Sequence, residues 1–191
     1  MRAPQVRKTE KKFNSIVAKL LYLGKHGHPD ILLVVQFLCV RVKVLTMEDA
    51  TKLARVLEYL KLMKTWVRVF EDSPFERVQT YINASFATHA DGKSQSACVE
   101  MLGNTLVHEA CRKQKLITKS STEAKLVALL DYIAEGELID HFIMDLGHLL
   151  DDDIVTNVHL VYQDNQSTIA LVKNRGRKSR SKYIKVRQEY V

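Results

Sequence analysis

The chain is short of glycine, proline and cysteine, and each shortage removes a class of protein. Seven glycines and three prolines in 191 residues are too few for a collagen-like repeat, extensive disorder or a turn-rich all-β fold. The three cysteines, Cys39, Cys98 and Cys111, are odd in number and lack the close pairing of metal ligands. They read as a reduced, intracellular thiol set. The most apolar stretch, Ile31 to Val40, is too short to span a bilayer and contains Gln36. Early basic residues have no apolar run behind them, which argues against a secretory leader. The expectation is a cytoplasmic or nuclear protein, not secreted and with no membrane partner. There is no Gly-rich phosphate loop and no Ser/His/Asp pattern. The histidines form no compact metal-spacing set, His26-Gly27-His28 reads as a loop, and Asp151-Asp152-Asp153 reads as a solvated turn.

What is present is an apolar content of 46%, enough for a real core in one or two small domains. The net charge of +7 is concentrated at one end. Lys173, Arg175, Arg177, Lys178, Arg180, Lys182, Lys185 and Arg187 are eight cations with no acidic residue between them, and without them 21 basic residues face 22 acidic ones. Two readings stand for this tail: a phosphate-binding segment or a solvated end.

Phe13, Ile16, Val17, Leu20 and Leu21 recur at helical spacing until His26-Gly27-His28-Pro29-Asp30 interrupts them. Pro29 and Asp30 suit the first turn of a new helix. Ile31 to Val40 is apolar all round, a buried helix or strand. Thr46-Met47-Glu48-Asp49 resembles a capping box, followed by a helical stripe of Ala50, Leu53, Ala54, Leu57 and Leu60. Trp66 to Phe70 is β-prone. Polar Glu71-Asp72-Ser73-Pro74 then suggests a boundary between a mainly helical region, 1–75, and a second domain, 76–191. In the latter the pattern predicts strands over Gln79–Ala87 and Ala97–Leu102, a hairpin at Gly103-Asn104, and a third strand from Thr105. Helices are expected over Ser121–Leu138 and Leu138–Leu150, then a strand over Val158–Tyr162 and a short helix over Ser167–Lys173. That order is α/β.

Three phrases carry a resemblance: Tyr81-Ile82-Asn83-Ala84-Ser85-Phe86-Ala87, Ser121-Thr122-Glu123-Ala124, and Gln163-Asp164-Asn165-Gln166-Ser167. They are similar to the acidic motifs of the ribonuclease H domain in copia-type retrotransposon Pol polyproteins. The resemblance extends upstream. Leu20-Leu21-Tyr22-Leu23, Pro29-Asp30-Ile31 and Val56-Leu57-Glu58-Tyr59-Leu60-Lys61 look like the end of that family's reverse transcriptase, its thumb and connecting strand. None of the polymerase's aspartate-bearing palm is present, so DNA synthesis by this chain alone is not implied.

The resemblance implies a ribonuclease H-like fold, a mixed sheet with an antiparallel meander and flanking helices, preceded by the thumb remnant. It also implies a fragment of a larger polyprotein acting on RNA–DNA hybrid or other nucleic acid. The family hydrolyses the RNA strand with carboxylates that hold two Mg²⁺ ions, and Mg²⁺ prefers charged oxygen ligands. The matching positions are Asn83, Glu123, Asp164 and Lys185. Glu123 and Asp164 would be retained catalytic and metal-binding residues. Asn83 and Lys185 stand where acids are expected, an amide without charge and an ammonium of the wrong sign. Local readings remain beside these: Glu123 can close a capping box with Ser120, and Asp164 can cap the helix after it. Lys178 and Tyr183 replace usual histidines, as does Glu189, while Glu109 replaces a Trp and Ala97 a Gly. The expectation is a catalytically impaired ribonuclease H homologue with weakened Mg²⁺ binding. The alternatives are a non-catalytic module binding nucleic acid through Lys173–Arg187, and a decayed element without selected function.

Overall fold

The computed structural model describes residues 4–71, 78–150 and 159–173. The chain divides into two compact units, Met1–Val69 and Phe70–Val191. The predicted boundary after residue 75 falls in a segment outside the described residues.

The first unit is helical. Helix α1 (Pro4–His26) buries Phe13, Val17 and Leu20, spaced one turn apart. It ends where the His26 ring meets the Tyr22 carbonyl oxygen at 2.8 Å, with Lys25 also in the last turn. A 3₁₀ turn (Pro29–Ile31) leads into α2 (Leu32–Cys39), so the all-apolar segment that was ambiguous in sequence is a helix. Its Val35 and Leu38 are fully buried against α1 and α3 (Met47–Leu62). The capping box at the start of α3 has both halves. Asp49 N donates to Thr46 Oγ1 at 3.2 Å, and Thr46 N donates to Asp49 Oδ2 at 3.0 Å. The box also buries Asp49 to 2% exposure, so the inner face runs Asp49, Leu53, Val56. The expected stripe was therefore rotated, and Ala50, Ala54 and Leu57 point outward. Trp66–Phe70 form no strand. Among the described residues no strand pairs with their backbone, and β propensity without a partner does not make a sheet.

The second unit is a four-stranded mixed sheet in the order β3-β2-β1-β4 with α4 and α5. Strands β1 (Val78–Ser85), β2 (Gln95–Leu102) and β3 (Thr105–Lys113) form an antiparallel meander. Its second turn uses Gly103 at φ 57°, a left-handed conformation that favours glycine. Strand β4 (Leu160–Tyr162) pairs in parallel with β1. Helix α4 (Ser121–Leu150) is continuous where two helices were expected. Ala124, Leu126, Ala128, Leu129 and Tyr132 pack on Ile82, Ala84 and Cys98, while Ile139 and Ile143 pack on Val78 and Leu102. One sheet face thus holds both halves of the helix. Helix α5 (Gln166–Lys173) follows β4. A meander, a covering helix and a parallel strand beside β1 are compatible with the ribonuclease H-like fold expected from the motifs.

Candidate functional site

Strand β1 alternates strictly, so Val78, Thr80, Ile82 and Ala84 face α4 while Tyr81, Asn83 and Ser85 face away. The parallel ladder pairs Tyr81 with Tyr162. Asn83 lies two residues further along β1, and Asp164 lies two residues past Tyr162, where β4 ends. Both line an open groove of about 420 Å³ with Ala97, Val99 and the two tyrosines. The rings of Tyr81 and Tyr162 stack with centroids 4.5 Å apart and planes 8° from parallel.

The acidic motif residues are engaged locally. Asn83 Oδ1 accepts from Ala84 N at 2.7 Å, which turns the amide oxygen onto its own backbone. Glu123 is buried to 8% exposure in the first turn of α4. Its carboxylate accepts from Lys119 N at 2.7 Å, and its own N–H donates to Ser120 Oγ at 3.1 Å. The capping role foreseen for Glu123 is therefore real, although the carboxylate reaches the residue before Ser120. Asp164 forms an ion pair with the half-sequestered ammonium of Lys125 on α4. Asn165, not Asp164, caps α5, with its Oδ1 accepting from Thr168 N at 2.9 Å. Thr168 Oγ1 in turn donates to Thr122 O at 3.3 Å, tying α5 to the start of α4.

Asn83 and Asp164 are thus brought into one groove, and Asp164 is linked to α4 through Lys125. Glu123 lies at that adjoining helix end and is not among the residues lining the groove. Lys173 is exposed at the end of α5. Lys185 and the tail cations Arg175, Arg177, Lys178, Arg180, Lys182 and Arg187 lie outside the described residues, as do Asp151-Asp152-Asp153. Among the described residues, the three motif positions do not present free, converging carboxylates. Asn83 is neutral and turned inward on its backbone, Glu123 is committed to a helix cap, and the charge of Asp164 is offset by Lys125.

Two features escaped the sequence. Lys125 pairs with a residue 39 positions away, which no local pattern signals. Cys98, His108 and Glu135 bring one ligand atom each within 4.8 Å of one another, a grouping that spacing along the sequence does not show. They come from β2, β3 and α4, so linear spacing hides them; only the hairpin register, with Cys98 opposite Ala110 and Glu100 opposite His108, puts them on one face. Burial, together with the Glu100 and Glu135 carboxylates, pushes the Cys98 thiol up to about 12. The hydrogen bond that His108 Nδ1 donates to the Glu100 carboxylate raises the His108 pKa.

No protein-family profile matches the chain, and no solved structure does. The chain is 26% identical over 181 residues to "Retrovirus-related Pol polyprotein from transposon RE1" of Arabidopsis thaliana. The alignment covers 94% of this chain and 12% of that polyprotein, so the chain spans about an eighth of its relative's length. The chain is thus similar to a segment of that polyprotein.

Proposed function

We propose that the second unit is the ribonuclease H-like part of a retrotransposon Pol polyprotein, impaired in the hydrolysis of RNA in RNA–DNA hybrids. The observation that carries this is that Asn83 on β1 and Asp164, just past the end of the adjacent parallel strand β4, line one groove. That is where the motif resemblance requires two acids side by side, and here one is an amide. In an intact relative such carboxylates would hold Mg²⁺ ions, which activate water and stabilise the leaving oxygen. This chain's own residues do otherwise: Asn83 bonds its backbone, Glu123 caps α4, and Lys125 neutralises Asp164. Two unit charges about 4 Å apart interact by about 4 kcal/mol at an effective dielectric near 20, and a doubly charged ion by about twice that. Each 1.4 kcal/mol or so is tenfold, so the amide at Asn83 weakens ion binding by at least about a thousandfold.

The test is reversion. Asn83→Asp with Lys185→Asp should restore measurable Mg²⁺-dependent cleavage of a labelled RNA–DNA hybrid, and adding Lys125→Gln should raise it further. Either single reversion should recover much less, because such residues act as a unit. A folded triple variant that neither binds Mg²⁺ nor cuts would sink the assignment of Asn83 and Lys185 as former ligands.

A second reading, a non-catalytic nucleic-acid-binding module, is favoured by one further observation. The stacked, 43% exposed rings of Tyr81 and Tyr162 beside the groove offer a surface on which bases can stack. The uninterrupted cations from Lys173 to Arg187 would supply sequence-independent phosphate contacts.

A further inference from the structure

On the sheet face covered by α4, Cys98, His108 and Glu135 each offer one ligand atom, and the three atoms lie within 4.8 Å of one another. Alternation along β2 puts Cys98 and Glu100 on that face, and the register sets His108 opposite Glu100. A bulge follows at once. The partner of Met101 is Leu106, so Val107 is left over, and such bulges re-aim neighbouring side chains. His108 Nδ1 lies 2.9 Å from Glu100 Oε2 and 4.0 Å from Glu135 Oε2.

A second observation concerns the carboxylates beside the imidazole. The Glu100 side chain is 0% exposed, and its Oε1 has no hydrogen-bond partner. Glu135 Oε2, against the same imidazole, has none either. Buried carboxylate oxygens are normally satisfied, and a charge taken from water needs a counter-charge. Arg112 pairs with Glu135 Oε1, the opposite oxygen, and hydrogen-bonds neither of these two.

We propose that Cys98, His108 and Glu135 bind a divalent transition-metal ion of the Zn²⁺ class, with Glu100 orienting the imidazole. A mixed sulfur, nitrogen and oxygen set selects a borderline ion over Mg²⁺ or Ca²⁺, which favour oxygen alone. Zinc bond lengths of about 2.0–2.3 Å put tetrahedral donors about 3.3–3.8 Å apart. The donors here must therefore close by about 1 Å. His108 and Glu135, with side chains 41% and 29% exposed, have room to do so and leave the fourth position open to water. Glu100 holds His108 Nδ1, so the imidazole would ligate through Nε2, the arrangement by which a carboxylate fixes a ligating ring. On binding, the Cys98 thiol gives its proton to solvent and the thiolate takes the metal. Asn83 faces away from α4, on the other side of β1 from these ligands; Cys98 also borders the groove that Asn83 and Asp164 line, but the proposal does not depend on ribonuclease chemistry.

Co²⁺ is the probe, titrated into the reduced full chain. The expected result is one equivalent bound, visible d–d bands of tetrahedral coordination, a sulfur-to-cobalt charge-transfer band, and displacement by Zn²⁺. Cys98→Ser should abolish the charge-transfer band, whereas Cys39→Ser and Cys111→Ser should keep it. His108→Ala and Glu135→Gln, at half-exposed positions that should leave the fold intact by circular dichroism, should each weaken binding at least tenfold. The proposal is overturned if the folded wild type gives no thiolate band at millimolar Co²⁺, if the band survives Cys98→Ser, or if both half-exposed variants bind as tightly as the wild type.

Discussion

Gly136, in the middle of α4, lets the helix approach β1 so closely that a methyl group there has no room. A Cβ at this position would lie 2.5 Å from Thr80 Oγ1 and 2.6 Å from His159 Nε2. Those two atoms share a 2.7 Å hydrogen bond, and Thr80 is fully buried. The contact fastens the residue just before β4 to β1, upstream of the Asn83–Asp164 pair. For Gly136→Ala, helix propensity favours alanine by about 1 kcal/mol. Against it stand roughly 1–3 kcal/mol for overpacking a filled core and about 1 kcal/mol for the lost hydrogen bond. The net is destabilisation by about 1–3 kcal/mol, and for a chain of this size each kcal/mol lowers Tm by about 2–4 °C. Urea unfolding followed by circular dichroism reads the shift. Thr80→Ala should relieve the clash, so the double variant should be more stable than the two single losses add up to. An unchanged or raised midpoint for Gly136→Ala would refute the reasoning, because it would mean that α4 has slack over β1 and propensity decides.

Glu123→Ala should cost about 1 kcal/mol through loss of the α4 cap, while Glu123→Gln, whose amide oxygen can still accept from Lys119 N, should cost little; equal losses in thermal melts would contradict a capping role. For His108 the folded pKa is raised, so its contribution is fully present below the unfolded value of about 6.5 and is lost as pH rises through the higher folded value. With a chelator present, the stability gap between wild type and His108→Asn should be widest below about pH 6.5 and narrow above it; a gap that widens with pH would be evidence against the Glu100 contact. If four to six of the eight tail cations reach phosphates, hybrid affinity should fall with salt with a log–log slope between about −3.6 and −5.4, and deleting residues 173–191 should remove most of it. A truncated chain that binds as tightly at equal salt would remove the binding-module reading.

The sequence made some elements plain because their signals are local. Thr46 and Asp49 sit three apart and bond reciprocally, and Gly103 carries the positive φ of its hairpin. The β1 alternation that aims Asn83 away from α4 is likewise visible in Val78 to Ala84. Other features depend on what packs against them. Ile31 to Val40 is apolar on every side, so only its neighbours α1 and α3 decide that it is a helix. Leu138 looked like a helix boundary, yet Ile139 and Ile143 find Val78 and Leu102 on the same sheet face and α4 runs on. Trp66 to Phe70 have the residues of a strand and no partner strand. The same limit governs the site: the motifs pointed to Asn83, Glu123 and Asp164, whereas the Lys125 ion pair and the Cys98–His108–Glu135 cluster exist only through tertiary register.

The central claim, that this chain carries a ribonuclease H-like unit which no longer cuts, is tested most directly by one assay. Wild-type protein and the cap-preserving Glu123→Gln variant are incubated with a labelled RNA–DNA hybrid and Mg²⁺, and cleavage is followed over time. The account predicts that wild type releases no more product than Glu123→Gln. Mg²⁺-dependent cleavage by wild type that Glu123→Gln abolishes would contradict it.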